Sequence, residues 1–124
     1  LVAAEAAYAP HPSLAPRAAE ARALRAALEA DDQVKEAERQ MAAMNFAGAV
    51  AAIEGAAAKY GLAGQAGKAQ KVERRRKKIL AEETMMAMAA HLDYGHWDEA
   101  LEKYNEGVAL IREANSRSLR EKWC

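Results

Sequence analysis

From Phe46 onward the apolar positions fall at offsets 0, 3, 4, 7, 11 and 14, occupied by Phe46, Ala49, Val50, Ile53, Ala57 and Tyr60. Residues three and four apart stack on the same side of an α-helix, so this spacing defines one apolar face. The same offsets recur from Trp97, through Ala100, Leu101, Tyr104, Val108 and Ile111. Each stripe follows another helical pattern. Leu24, Leu28, Val34 and Met41 recur at helical spacing from Arg17 to about Met44, where the Asp31-Asp32 pair marks either a break or a fresh cap. A long helix is predicted over about 68–92, and the last helix from Trp97 to about Arg120.

A shift of 51 positions carries Phe46 onto Trp97, Leu28 onto Ile79, Val34 onto Met85, Ala37 onto Met88 and Met41 onto Leu92. One register therefore superposes both helices of each pair, as an internal repeat would. The predicted fold is all-α, two antiparallel helical hairpins forming a four-helix bundle or a short solenoid. The first hairpin covers residues 17–64, and the second, with a C-terminal extension, residues 68–124. The segment GLAGQAG holds three glycines in seven residues and reads as a helix stop and flexible connector, whose end is residues 65–67. Residues 1–16 contain all three prolines and no sustained stripe, and read as a Pro/Ala-rich extended arm.

The stretch DYGHWDEALEKY, starting at Asp93, predicts a tight helix-helix turn. Gly95 permits a left-handed backbone, Asp93 or His96 is placed to cap the next helix, and Trp97 to staple its start. Small Ala100, like Ala49 in the first copy, leaves room for a neighbouring helix. Phe46, Ala49, Ile53, Gly95, Trp97, Ala100 and Tyr104 are thus the expected turn and packing residues.

The pattern Gly95-x-Trp97-x-x-Ala100-Leu101-x-x-Tyr104-x-x-Gly107-Val108 resembles the tetratricopeptide repeat, and is also similar to the microtubule-interacting and trafficking domain. The first copy keeps Phe46, Ala49, Val50, Ile53 and Ala56, with Met44 where the glycine would stand. Two features depart from the repeat. The period is 51 rather than about 34, and Thr84, Met88 and His91 occupy first-helix positions where large aromatic and glycine residues belong. The resemblance implies partner binding without catalysis.

Composition narrows the picture. Alanine makes up about a quarter of the 124 residues and β-formers are scarce, which leaves little to build a sheet from. Formal net charge is zero, so any electrostatic argument for a nucleic acid or an anionic surface must be local. The local candidate is KAQKVERRRKK over 68–78. Lys68, Lys71, Arg75 and Lys78 form a ridge on one helical face, Arg74 and Lys77 extend it sideways, and Val72 and Ile79 lie on the apolar side. Such a ridge reads as a solvated helix surface with some pairing to Glu73 or Glu82, or as a contact for an acidic protein or an RNA or DNA backbone, although no aromatic residue interleaves it for base stacking. Trp123 falls beyond the last apolar stripe and would make an exposed anchor. Met41, Met44, Met85, Met86 and Met88 suit either a core or an adaptable groove.

Catalytic, cofactor-binding and metal-binding sets are not found. GLAGQAGK lacks the phosphate-loop pattern, and the i, i+5 pair His91 and His96 spans a predicted turn. The pairs Asp31-Asp32 and Glu82-Glu83 diverge around the helix axis. Cys124 is the single cysteine, which forbids an internal disulfide and fits a soluble reducing compartment such as cytoplasm or an organelle matrix. No apolar run reaches bilayer length, so membrane insertion is not expected. The opening LVAAEAAYAPHPSLAP suits a processed precursor or a piece of a longer protein. The expectation is a non-catalytic helical scaffold or adaptor, without cofactor, contacting other protein subunits of a larger assembly. Its partner-binding residues would be Lys68, Lys71, Arg74, Arg75, Lys78 and Trp123. The alternative is an RNA-associated accessory subunit using the basic ridge.

Overall fold

The computed structural model describes residues 15–124, and each regular element in them is an α-helix: α1 (Ala15–Ala42), α2 (Phe46–Leu62), α3 (Ala66–Asp93), α4 (Trp97–Ala114) and α5 (Arg117–Trp123). The all-α expectation holds. α1 opens at Ala15, so Pro16 sits in its first turn, where the missing N–H removes no intrahelical bond. The rest of the arm assigned to residues 1–16 lies outside the described residues. Asp31-Asp32 neither breaks nor caps a helix, because α1 runs straight through it.

The element boundaries obey the 51-position shift. Ala15 maps onto Ala66, Ala42 onto Asp93, and Phe46 onto Trp97. The turn between the two hairpins is also as tight as the turns within them. Met44, Gly64 and Gly95 all have positive φ, at 61°, 71° and 73°. Around each the backbone makes the same pair of bonds. The left-handed residue donates to the carbonyl three back (Met41, Gly61, Leu92), and the next residue to the carbonyl five back (Gln40, Tyr60, His91). This is the αL helix stop that satisfies the last carbonyls of a helix. The flexible connector expected at 65–67 is therefore corrected. The reversal is residues 63–65, closed by Gly64, and Gly67 lies inside α3.

The residue after each left-handed position caps the next helix, and its carbonyl accepts from the amide of an alanine four residues on: Ala49, Ala69 or Ala100. Asn45 also caps with its side chain, accepting from the Gly48 amide at 3.1 Å. The final helix is corrected as well. It ends at Ala114, and left-handed Asn115 (φ 50°) leads to Ser116, whose hydroxyl accepts from the Leu119 amide and starts α5.

α1 packs on α2, α2 on α3 and α3 on α4, without extensive packing of α1 on α4, so the described helices form an open row rather than a closed ring. Two cores result. Ala30, Ala37, Ala49, Ile53, Ala56, Tyr60, Val72 and Ile79 make the first, and Ala81, Met85, Ile111 and Leu119 the second. α3 belongs to both. Its early turns cover the first hairpin and its later turns pair with α4. Gly107 permits that close pairing, since a Cβ there would stand 2.7 Å from Met85 Sδ.

Because alanines dominate the first core, a few large side chains supply most of its apolar burial, each contributing about 1.5–3 kcal/mol. Tyr60 is one of them, and its hydroxyl donates to the Asp31 carboxylate across the α1–α2 interface. Burial, reinforced by that bond, pushes the Tyr60 phenol up to about 12.

Two predictions follow from the backbone and the clasp. Met44 is exposed and held at positive φ. Met44→Gly should raise stability by about 0.5–1 kcal/mol, since relief of about 1–2 kcal/mol of αL strain outweighs glycine's extra unfolded-state entropy. A higher midpoint in urea unfolding checks it. For Tyr60 the folded state holds its proton above the unfolded value of 10.0. The clasp's contribution is therefore full below pH 10 and lost as pH rises towards about 12. Tyr60→Phe should cost about 1 kcal/mol at neutral pH. The gap between wild type and variant should narrow from pH 10 upward in the same denaturant titration.

Candidate functional site

The reversal at 94–96 sets the end of α3 beside the start of α4. Met88, Leu92, Trp97, Ala100, Leu101 and Tyr104 then line an open apolar groove of about 270 Å³. Ala100 is buried, whereas Trp97 is 66 % exposed, Leu101 61 %, Leu92 42 % and Tyr104 37 %. Two expectations are corrected here. Trp97 does not staple the helix into a core, and Tyr104 is not a core residue, because no described helix lies over this part of the stripe. In the first hairpin Ala49 and Ile53 are fully buried and Phe46 is half-buried against the first core, under α3. Gly95 occupies the left-handed position expected of it.

Asp93, Asp98, Glu99 and Glu102 are exposed, and none has an ion-pair partner among the described residues. At the turn, the reversal brings His91 Nδ1 to 3.3 Å from His96 Nδ1, with the Tyr94 ring stacked on His96 at 6.1 Å. The two histidines thus meet across the turn, which helical spacing alone did not indicate. Among the described residues no group of three or more His, Cys, Asp or Glu is placed to hold a metal ion.

The basic ridge is divided rather than continuous. Arg75 reaches across to Glu38 of α1 at 3.1 Å, and Lys77 to Glu113 of α4 at 3.3 Å. Arg76 bonds Glu73 at 2.6 Å and approaches Glu54 of α2 at 3.9 Å. The Arg76 guanidinium holds the Glu73 carboxyl below the usual carboxylate range, and Glu73 in turn pushes Arg76 up. Lys68 lies over the Tyr60 ring, 5.7 Å from its centroid. Lys71, Arg74 and Lys78 remain exposed without an ion-pair partner among the described residues. Lys78 and Arg75 also border a cleft of about 230 Å³ between α1 and α3, floored by Ala37, Met41 and Ile79.

Trp123 is not the free anchor expected of it. α5 folds back so that Leu119 is buried in the second core and Trp123 is half-buried against it. Its indole Nε1 is buried without a hydrogen-bond partner. Lys122 lies over the Trp123 ring at 5.2 Å and ties α5 to α3 through Glu82 at 2.9 Å. The signal for this turn was present in Asn115-Ser116, since Asn tolerates αL and Ser is a strong N-cap. Leu92 as a groove wall and the Asp31–Tyr60 clasp carried no comparable local signal.

No described helix is long and apolar enough to cross a membrane. No family model, characterised protein or solved structure matches the chain.

The contrast between the hairpins predicts unequal costs at positions related by the repeat. Ile53→Ala should destabilise by about 2–4 kcal/mol, having emptied a fully buried site. Tyr104→Ala, its counterpart on the open face, should cost less than about 1 kcal/mol. Guanidinium unfolding midpoints of the two variants measure the difference.

Proposed function

We propose that this chain is a non-catalytic helical docking module, a scaffold or adaptor subunit that binds another protein through its second hairpin. The observation that carries the reading is the concentration of exposed large apolar residues at one place, where Leu92, Trp97, Leu101 and Tyr104 form one surface. Scattered single apolar residues need no explanation on a protein surface, but a contiguous apolar groove marks a place where another molecule can bind. Trp and Tyr are also the side chains most often found at the energetic centre of such contacts. The likeness to tetratricopeptide hairpins points the same way, with a longer unit: a 28-residue helix and a 17-residue helix do not fit a period of about 34.

A second reading, an RNA-associated accessory subunit, rests on Lys71, Arg74 and Lys78, exposed cations of the ridge without an ion-pair partner among the described residues. Neutralisation of Arg75, Arg76 and Lys77 by Glu38, Glu54, Glu73 and Glu113 weakens it, because phosphate would have to displace those carboxylates.

Affinity purification of the tagged chain from native extract, with and without nuclease, separates the readings. The docking-module reading expects a set of proteins that survives nuclease and is lost in Leu101→Asp. Loss of the set after nuclease, and after charge reversal at Arg74 and Lys78 with Leu101→Asp harmless, would put RNA first.

A further inference from the structure

The repeat gives the open groove a filled counterpart. Subtracting 51 from its six lining residues gives Ala37, Met41, Phe46, Ala49, Val50 and Ile53, and all six belong to the first core or pack against it. The element that lies on them is α3, which supplies Val72 and Ile79 to that core and sets Ile79 beside Ala37 and Met41.

The covering face of α3 has a counterpart too. α1 and α3 are both 28 residues long and in register, so the same subtraction turns Ile79 into Leu28 and Arg75 into Leu24. Ile79 is buried, whereas Leu28 is 48 % exposed and Leu24 53 %. Four residues apart, the two leucines share one side of α1. The chain therefore shows to solvent both halves of a contact that it already makes once inside itself. α1 and α4 stand at opposite ends of the row of hairpins and do not pack extensively on each other, so the two halves do not close within one molecule.

The substitutions between the repeats agree with such a closure. Where α3 meets the first hairpin, Arg75 pairs with Glu38 at 3.1 Å. The equivalents are Leu24 and Ala89, so the charge is replaced by an apolar side chain on both sides at once. Had only one side changed, the contact would strand a carboxylate or a guanidinium. α5 leaves room for the leucines, because its last residue, Trp123, corresponds to Val72, before the positions of Leu24 and Leu28. The first two turns of an incoming α1 overlap α5 and give way. Pro16, Arg17, Ala19 and Glu20 in those turns are exposed, so little packing is lost.

Resting on the docking-module reading, we propose that the partner at the groove is a second copy of this chain. Its α1 lies over Met88, Leu92 and Leu101 as α3 lies over Ala37, Met41 and Val50, with Leu28 in the place of Ile79 and Leu24 over Ala89. The contact is head to tail: each pair keeps one unused groove and one unused α1, so further copies add in the same way.

Sedimentation velocity of the whole 124-residue chain over a range of concentrations tests this. The expected result is association that grows with concentration. Leu28→Asp and Leu101→Asp should each weaken it by about tenfold or more, the loss of one buried aliphatic contact. Mixing the two variants is the decisive step. Leu28→Asp keeps an intact groove and Leu101→Asp an intact α1, so an equimolar mixture should form a dimer and stop there. Leu62→Asp, at an exposed leucine closing α2, should leave association unchanged. Circular dichroism melts would show that these exposed-site variants remain folded.

A chain that stays monomeric at every concentration overturns the inference. So does association that Leu101→Asp dissolves and Leu28→Asp leaves intact, which would mean groove against groove about a two-fold axis. A mixture of the two variants that forms no dimer overturns it equally. If the chain is monomeric while the nuclease-resistant protein set still depends on Leu101, the docking module stands with a different occupant. If that set is indifferent to Leu101→Asp, the docking reading falls too.

Discussion

Each full reversal of this chain is closed by one residue forced into the left-handed region, and the architecture depends on that constraint. Met44, Gly64 and Gly95 each let two successive amides turn back onto the last carbonyls of the finished helix. The chain then needs only three residues to reverse, so consecutive helices are antiparallel and close from their first turn. Close helices in turn demand small residues at the point of approach. Ala49 and Ala100 meet that demand one turn after the cap, and Gly107 meets it deeper along α4. Turn geometry and alanine content are therefore two sides of one solution. A helix row with three-residue reversals has no room for leucine at every contact.

That solution leaves thin cores. Alanine brings backbones together but buries little area, so Ile53, Met85 and Ile111, the largest fully buried side chains, carry a disproportionate share of the apolar stabilisation. The ion pairs around α3 are largely half-exposed and each contributes little to stability. Their greater effect is positional. They fix α3 across α1, α2 and α4, and make one helix the shared wall of two cores.

Much of this was legible in the sequence, for physical reasons that also mark where legibility ended. Helix type and phase were readable because the stripes from Phe46 and Trp97 are long and regular, and the 51-position register aligned four helices to the residue. The reversal at 63–65 was misread as a flexible connector because three glycines raise the expectation of disorder. Only Gly64 is used for its backbone freedom; Gly61 and Gly67 lie within helices. The basic ridge was misjudged for a different reason. A helical projection shows which cations share a face, but not which carboxylates on other helices reach them. Glu38 and Glu113 are distant in sequence, so Arg75 and Lys77 looked free.

The candidate site was half legible in the same sense. The stripe Trp97, Ala100, Leu101 and Tyr104 was seen, and Trp97, Ala100 and Tyr104 were read as turn and packing residues alongside their counterparts from Phe46. A period establishes that a face is apolar. Whether that face is buried depends on what lies above it, and in an open row of helices each hairpin is covered by the element that follows. α3 follows the first hairpin and spans it, whereas α5 follows the second and covers only the end nearest Leu119 and Trp123. The same sequence pattern is therefore a core in one copy and a surface in the other.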